Sequence, residues 1–435
     1  MPTSQGVRIR PVNRLRVGNS GGVTTYSAVR TTGIYCRPGC GAKPNAENVR
    51  TFGHPAAAEA AGYRACLRCR PYRVAGTVAD EAPEIVCRAV RLIIDGVLDE
   101  GTEAALGVRL GVSARHLRRM FHDHLGVTPD GFARSRRAHF ARRMLDDTDL
   151  PVADVAFASG FGSLRQFNRA MRDVFRATPK ELRARRRRTD RLVADGGLVL
   201  RMPFAQPYDW SAVAEFLALR AIPGVESVVD GVYRRTVALD GEPGMLELCP
   251  GGPDHLLLRA HLPYWEGVIH VVERAARLSG VDFDPAVARA ELGRDPVLGP
   301  LVAARPGVRV PGVWAPFEVA VRAAVGAERA ADIAVRYGVT VPGLGHGLTH
   351  VFPSPAVLAD TGEPVAELAK AMAAGEEPRG MDPDATEHYA LRAGARDAYP
   401  AGDPLVRSAL RDLSADPDRW RPWRSLATVH LMLRG

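Results

Sequence analysis

Two short stretches, Thr31-Thr-Gly-Ile-Tyr-Cys-Arg-Pro-Gly-Cys40 and Gly62-Tyr-Arg-Ala-Cys-Leu-Arg-Cys-Arg-Pro71, hold four of the six cysteines of the chain. Their Cys-x3-Cys and Cys-x2-Cys spacings make two loops that can each offer two thiolates to one ion, and four thiolates at about 2.3 Å close a tetrahedral zinc site. Disulfides are not expected in a large chain without an export signal. The sequence therefore predicts one zinc ion, held by Cys36, Cys40, Cys66 and Cys69.

Length and composition bound the remaining possibilities. The chain has 435 residues, which at about 100–200 residues per domain favours two to four domains. It is 46% hydrophobic and 25% charged, which excludes wholesale disorder and membrane embedding. The N-terminal segment, residues 1–18, lacks the apolar core of a signal peptide. We therefore expect a cytoplasmic protein with no membrane partner.

The charge is distributed unevenly. Residues 1–190 hold 33 Lys and Arg against 18 Asp and Glu, whereas residues 191–435 hold 25 against 31. A strongly basic half is typical of nucleic-acid binding. The alternative is codon bias, because 55 of the 58 basic residues are Arg, as a GC-rich genome would produce. Charge alone does not decide between nucleic-acid binding and codon bias, so the decision depends on the sequence motifs.

One helical unit occurs twice. Ser113-Ala-Arg-His-Leu-Arg-Arg-Met-Phe121 and Ser163-Leu-Arg-Gln-Phe-Asn-Arg-Ala-Met171 recur 50 residues apart, and each is followed by Thr-Pro at the same distance. A short helix, a Gly turn and a Ser-capped second helix predict two helix-turn-helix units. The second helices place these polar residues outward, where they can contact bases and phosphates: Arg115, His116, Arg118, Arg119, Arg165, Gln166, Asn168 and Arg169. The alternative is an all-helical bundle with a solvated Arg face.

The cysteine-containing stretches resemble the N-terminal domain of the Ada family. The resemblance implies that Cys36 is a nucleophile that takes a methyl group from a methylated DNA phosphate. It also implies phosphate-facing roles for Thr32, Lys43 and Arg64. Methylation would remove one negative charge from the site, and we expect this to raise the affinity for DNA. Residues 1–22 depart from the family, because they do not look like its first helix.

The repeated unit, with Gly160-Phe-Gly-Ser-Leu-Arg-Gln-Phe167, resembles the AraC-type activator domain over residues 81–184. The resemblance implies two recognition helices in successive major-groove turns of promoter DNA, and RNA polymerase as a further partner.

The C-terminal half resembles AlkA-type 3-methyladenine DNA glycosylases. The matching segments are Gln206-Pro-Tyr-Asp-Trp210, Arg220-Ala-Ile-Pro-Gly-Val-Glu226 and Trp420-Arg-Pro-Trp-Arg-Ser425. Such enzymes flip out an alkylated base and stabilise the developing positive charge on the sugar with one Asp. Asp397-Ala-Tyr-Pro-Ala-Gly-Asp403 matches the segment that carries it, so Asp403 is the candidate catalytic residue.

Other parts of that half depart from the family. The hairpin turn, Pro378-Arg-Gly-Met-Asp-Pro383, has Asp382 where a Gly should let the backbone approach a phosphate. Asp384, His388 and Met432 stand where aromatic rings should stack on the base. Two helical stretches, Gly326–Ala330 and Glu363–Glu376, are shorter than the family pattern. We therefore expect impaired glycosylase activity.

Together these observations predict a multidomain α+β protein. The expected domains are a small Ada-type zinc domain (1–79), an all-α tandem helix-turn-helix domain (80–190), an AlkA-like α+β domain (197–285) and a shortened helix-hairpin-helix glycosylase-like domain (286–435). The expected function is stoichiometric methyl acceptance from alkylated double-stranded DNA, coupled to activation at promoter DNA. Two alternatives remain: an active 3-methyladenine glycosylase with regulatory N-terminal domains, and an AraC-type transcription factor whose zinc is purely structural. Oligomeric state and operator sequence are left open.

Overall fold

The computed structural model describes residues 25–37, 40–42, 44–73, 82–194 and 196–434. Mixed and all-helical segments follow one another along this part of the chain, which confirms the predicted multidomain α+β class. Among the described residues, every helix is too short or too polar to cross a lipid bilayer.

The N-terminal segment is a small sheet with one short helix. Its elements are β1 (Tyr26–Val29), β2 (Ile34–Cys36), β3 (Val49–Phe52), α1 (Pro55–Ala60) and β4 (Arg64–Ala65), with 3₁₀ turns at Ala46–Asn48 and Pro71–Arg73. The strand order is β3-β1-β2-β4, and β2 pairs with β4 in parallel. Because β2 ends at Cys36 and β4 directly precedes Cys66, this pairing brings the two cysteine loops together.

The second segment is all-helical. Its helices are α2 (Glu84–Ile94), α3 (Glu103–Arg109), α4 (Ala114–Leu125), α5 (Pro129–Asp147), α6 (Val152–Ala158), α7 (Leu164–Phe175) and α8 (Pro179–Ala184), followed by a 3₁₀ turn at Arg188–Asp190. Ser113 caps α4 and Ser163 caps α7, each by accepting a backbone N–H three residues on. The two helices have 12 residues each and begin 50 positions apart, so the structure contains the repeat seen in the sequence.

The third segment is an antiparallel sheet covered by helices. Its elements are β5 (Leu198–Pro203), α9 (Trp210–Leu219), β6 (Glu226–Val229), β7 (Val232–Leu239), β8 (Glu242–Gly252), β9 (His255–His261) and α10 (Val268–Leu278). The strand order is β5-β9-β8-β7-β6. Alternating buried residues on β9, such as Leu256, Leu258 and Ala260, face the core of this layer.

The fourth segment is mainly helical. Its elements are α11 (Ala286–Leu292), α12 (Leu298–Ala304), α13 (Pro316–Tyr337), β10 (Val339–Thr340), β11 (His350–Val351), α14 (Pro355–Ala359), α15 (Ala366–Ala373), α16 (Pro383–Arg392), α17 (Pro404–Leu413), a 3₁₀ turn at Pro417–Trp420 and α18 (Arg424–Met432). Helix α13 is broken at Gly326, which has a φ of +82° that a side chain would disfavour. The break lies in one of the two regions that the sequence predicts to be shortened.

The segments pack against one another through polar contacts. Asp147 at the end of α5 binds Arg201 of β5 at 2.6 Å, and Arg277 of α10 binds Asp95 at 2.7 Å. One continuous apolar core also joins the N-terminal sheet, the second half of the helical segment and the five-stranded sheet. The helix-turn-helix scaffold is therefore docked on both of its neighbours.

Candidate metal centre and nucleic-acid interface

The four predicted ligands meet at one point. The Sγ atoms of Cys36, Cys40, Cys66 and Cys69 all lie within 4.8 Å of one another. The backbone holds the two loops in place, because the N–H of Cys66 donates to the carbonyl of Tyr35 at 2.9 Å. Cys36 is buried, with 7% of its surface exposed, whereas the other three cysteines are half-buried.

A cation bound here would favour the thiolate form of these cysteines. Burial raises the pKa of the Cys36 thiol, and the neighbouring sulfurs of Cys69 and Cys66 raise it further. Burial also raises the pKa of Cys69 to about 12. A Zn–S distance of about 2.3 Å in tetrahedral geometry separates the sulfurs by about 3.8 Å, so small side-chain rotations suffice to bind the ion. The residues present fit one zinc ion.

The structure describes two of the three predicted phosphate contacts. Thr32 is exposed on the turn between β1 and β2. Arg64 is half-buried on β4, and its guanidinium donates to the carbonyl of Ala65 at 3.3 Å. Lys43 lies outside the residues that the structure describes, as do residues 1–22. The roles of these residues toward phosphate stay predictions.

A buried polar cluster connects the metal centre to the helix-turn-helix scaffold. The hydroxyl of Tyr35, one residue before Cys36, donates to Glu59 at 2.6 Å and lies 3.2 Å from Nε2 of His139 on α5. His139 Nε2 lies 2.6 Å from the same Glu59 oxygen. The sequence does not indicate this cluster, because isolated Tyr, Glu and His positions carry no periodic signal.

A second cluster strengthens the same interface. Arg70, directly after Cys69, pairs with Asp190 at 2.7 Å and with Asp146 of α5 at 3.7 Å. Tyr72 donates to Asp146 and accepts from Arg142, which is almost fully buried. The metal-binding segment thus contacts α5 through residues just before its first cysteine and just after its last one.

The outward residues of the two second helices lie where the sequence placed them. Leu117 and Phe121 of α4 and Phe167 and Met171 of α7 are buried. Of the eight polar residues predicted to face outward, His116 and Asn168 are half-buried. The other six are exposed: Arg115, Arg118, Arg119, Arg165, Gln166 and Arg169. Both helices therefore present a polar, mainly basic face to solvent.

Some of these side chains already have partners within the protein. Arg118 forms an ion pair with the buried carboxylate of Glu103. The amide of Asn168 donates to the carbonyl of Leu164 at 2.8 Å. Arg115, Arg165 and Gln166 make no side-chain hydrogen bond or ion pair with the described part of the chain, so no contact within that part holds these three exposed side chains.

Both carboxylate oxygens of Asp403 have partners within the protein. It caps α17, where its Oδ1 accepts the N–H groups of Leu405 and Val406. Its Oδ2 lies 2.9 Å from Arg220 and 3.2 Å from His388. Burial would raise the pKa of Asp403, but the hydrogen bond from His388 and the charge of Arg220 hold that pKa below its usual value.

The neighbouring departures from the family also have structural roles. Asp382 caps α16 by accepting the N–H of Ala385 at 2.8 Å. Asp384 accepts the N–H of Gly402 at 2.8 Å. Met432 lies with its sulfur 3.3 Å from Arg220. The positions where the sequence predicts aromatic rings to be lost therefore hold side chains with contacts inside the protein.

Three family models match separate parts of the chain. The metal-binding domain of Ada matches residues 23–72, a helix-turn-helix domain matches residues 106–185, and the AlkA N-terminal domain matches residues 199–315.

Curated relatives match at different lengths. The chain is 37% identical over 454 aligned positions to the probable bifunctional transcriptional activator/DNA repair enzyme AlkA of Mycobacterium tuberculosis, covering 93% of this chain and 91% of that one. It is 28% identical to DNA-3-methyladenine glycosylase 2 of Escherichia coli, covering 52% and 93% of the two chains. It is 31% identical to the bifunctional transcriptional activator/DNA repair enzyme Ada of Escherichia coli, covering 36% and 43%.

Proposed function

The chain belongs to a family of bifunctional transcriptional activators and DNA repair enzymes with Ada-type, helix-turn-helix and AlkA-type domains, and on this premise we propose that Cys36 accepts a methyl group from methylphosphotriesters in DNA. The observation that carries the proposal is the convergence of four cysteine sulfurs within 4.8 Å in the segment that matches the Ada metal-binding domain. DNA is the partner that all three domain types share.

The proposed reaction is a single displacement at carbon. The Sγ thiolate of Cys36 attacks the methyl carbon, an S–C bond forms, and the C–O bond to the phosphotriester breaks. The electron pair of that bond stays on oxygen, which leaves an ordinary phosphodiester anion and S-methylcysteine. Zinc, when bound by the four cysteines, keeps the attacking sulfur deprotonated at neutral pH.

Because the product is a stable thioether, each chain should act once. The protein is expected to take up methyl groups from methylphosphotriester-containing duplex until it holds one per chain, and then stop. Intact-mass measurement during a titration with this duplex tests the expectation. Continued turnover would contradict a consumed acceptor, and an unchanged mass would favour a transcription factor with purely structural zinc.

The proposed methylation changes the charge of the metal centre. Four thiolates around Zn²⁺ carry a formal charge of about −2, which repels the DNA backbone, and methylation of one sulfur removes one negative charge. We propose that the methylated protein binds promoter DNA more tightly and activates transcription through RNA polymerase. Tyr35 and Arg70 contact α5, which joins the two helix-turn-helix units in the chain, so the metal centre is in direct contact with the scaffold that carries the recognition helices.

The recognition helices can be tested one residue at a time. Replacing Arg165 by Ala is expected to weaken binding to a duplex selected from a random pool by about 1–3 kcal/mol, because a guanidinium can bind one guanine edge through two hydrogen bonds. Titration at one fixed salt concentration measures the change. Arg407, an exposed arginine on α17, is the matched control, and an equal loss in Arg407→Ala would contradict the assignment to α7.

We propose that the glycosylase-like half is impaired. Arg220 and His388 pair with the carboxylate of Asp403, and the positive charge of Arg220 offsets the negative charge that would have to stabilise the developing positive charge on the sugar. The purified protein is therefore expected to release 3-methyladenine from alkylated duplex no faster than its Asp403→Asn variant. Release that is rapid and lost in Asp403→Asn would establish the opposite, an active glycosylase.

Methyl acceptance and promoter binding both need chromosomal DNA, so we place the protein in the cytoplasm. We also keep the four domain ranges, 1–79, 80–190, 197–285 and 286–435, as the proposed division of the chain. The segments of the structure are consistent with these ranges.

A further inference from the structure

A histidine in the first turn of α10 contacts the helix-turn-helix scaffold. His270 Nε2 lies 2.5 Å from Oδ2 of Asp99, in the connection between α2 and α3, and its Nδ1 lies 3.2 Å from the carbonyl oxygen of Ile94 at the end of α2. Gly96 leaves room for the ring, because a Cβ at that position would lie 2.9 Å from His270 Cε1. The ring therefore lies between two oxygen atoms of another segment.

Both of these oxygen atoms are hydrogen-bond acceptors. A neutral imidazole has one N–H donor and can satisfy only one of them, whereas an imidazolium donates from both nitrogens. Burial alone would lower the pKa of His270, but the hydrogen bond to Asp99 and the negative charges of Asp99 and Glu273 raise that pKa above its usual value. The contact therefore favours the charged ring.

Asp99 is a suitable partner because it stays ionised. Arg137 of α5 pairs with Oδ1 of Asp99 at 2.5 Å and donates to the carbonyl of Leu98 at 2.6 Å. Burial would raise the pKa of Asp99, but the hydrogen bond from His270 and the charge of Arg137 hold that pKa below its usual value. Of the pair that His270 and Asp99 form, the histidine is therefore the member that titrates near neutral pH.

Two further ion pairs cross the same interface. Arg277 of α10 binds Asp95 at 2.7 Å, and Glu273 of α10 binds Arg136 of α5. Burial raises the pKa of Glu273, against the charge of Arg136. Because these groups surround His270, its contribution to any pH dependence is isolated by comparing the wild type with a variant at that position.

The same turn of α10 also reaches the second helix-turn-helix unit. The N–H of Gly267 donates to the carbonyl of Phe157 of α6 at 3.2 Å. Since α6 and α7 form that unit, the turn that holds His270 joins the C-terminal half to the unit with the second recognition helix.

We propose that His270 docks the C-terminal half on the helix-turn-helix scaffold as an imidazolium, so that docking takes up a proton and weakens as the pH rises. The stabilisation is complete below the usual histidine pKa of about 6.5, and it is lost as the pH rises through the raised pKa of the docked ring. At higher pH the unit formed by α6 and α7 is less restrained by α10. The proposal does not depend on methyl transfer.

Hydrogen exchange of the zinc-loaded full-length protein tests this proposal. The protection of the peptide that contains the N–H of Gly267, corrected for the intrinsic effect of pH on exchange, should fall between about pH 6 and about pH 8.5. The fall should approach about tenfold for each unit by which docking raises the pKa of His270. In His270→Gln, which keeps one side-chain donor but does not titrate, this fall should be absent.

The matched control is His255→Gln. His255 on β9 lies 2.7 Å from Asp254, so this variant also loses a histidine–carboxylate pair, but one within its own hairpin. It should keep the wild-type pH dependence. Protection that does not change with pH in the wild type, or that changes equally in His270→Gln, would overturn the proposal.

A second measurement observes the ring itself and does not depend on how His270→Gln folds. In an NMR titration of histidine-labelled wild type, one Cε1 resonance should titrate above the usual value of about 6.5. Asp99→Asn keeps the shape of the partner but removes its charge, so it should lower the midpoint of that resonance and thereby assign it. If no resonance titrates above the usual value, or if Asp99→Asn leaves every midpoint unchanged, the proposal is wrong.

Discussion

Replacing Cys36 by Ala is expected to abolish methyl uptake from methylphosphotriester-containing DNA. If Cys36 is the methyl acceptor, its substitution removes the attacking sulfur. The other three cysteines then serve only as zinc ligands. Because three thiolates bind zinc less tightly than four, uptake by the variant is measured in excess zinc, with its metal content checked. Intact-mass measurement after incubation with alkylated duplex gives the result directly.

The matched control for this variant is Cys249→Ala. Cys249 is half-buried and lies on β8, far along the chain from the metal centre, and its loss should leave methyl uptake at one group per chain. Uptake by Cys36→Ala at the wild-type level would show that another sulfur is the acceptor. The burial of Cys36, against the half-burial of its three neighbours, makes this outcome worth testing.

Replacing Cys69 by Ala is expected to release zinc and unfold the N-terminal segment. Structural zinc binding in small domains has an apparent free energy of about 10–16 kcal/mol, and the four-stranded sheet has only a small core of its own. Tyr35 and Arg70 contact α5, so thermal unfolding of the helix-turn-helix segment should also shift to lower temperature. Metal analysis and limited proteolysis of residues 25–73 measure the two effects.

Chelation of the wild-type protein should reproduce the Cys69→Ala result, and returning zinc should reverse it. Cys87→Ala is a control for loss of a buried thiol, because Cys87 lies on α2 away from the centre. A Cys69→Ala protein with one zinc per chain and an intact N-terminal segment would contradict the assigned ligand set.

Local features of the fold could be predicted from the sequence. Ser113 and Ser163 are helix caps, Gly111 and Gly160 take the positive φ that their turns need, and the offset of 50 residues relates α4 to α7. These features depend on residues close together in the chain, where side-chain chemistry restricts the backbone directly. The four cysteines were predictable for a similar reason, because metal geometry restricts their spacing.

Contacts between distant parts of the chain could not be predicted in this way. Arg220 and Asp403 are 183 positions apart, and no pattern in either segment indicates that they pair. The docking of α5 on both neighbours depends on single polar residues, such as His139 and Asp147, which resemble ordinary surface residues in the sequence.

The most direct test of the central proposal is to find which sulfur carries the methyl group. The wild-type protein would be incubated with isotopically labelled methylphosphotriester duplex, digested, and each cysteine peptide examined by tandem mass spectrometry. We predict the label on Cys36 alone, at one group per chain. Label on Cys40, Cys66 or Cys69, or no label on any cysteine of a zinc-loaded protein, would contradict it.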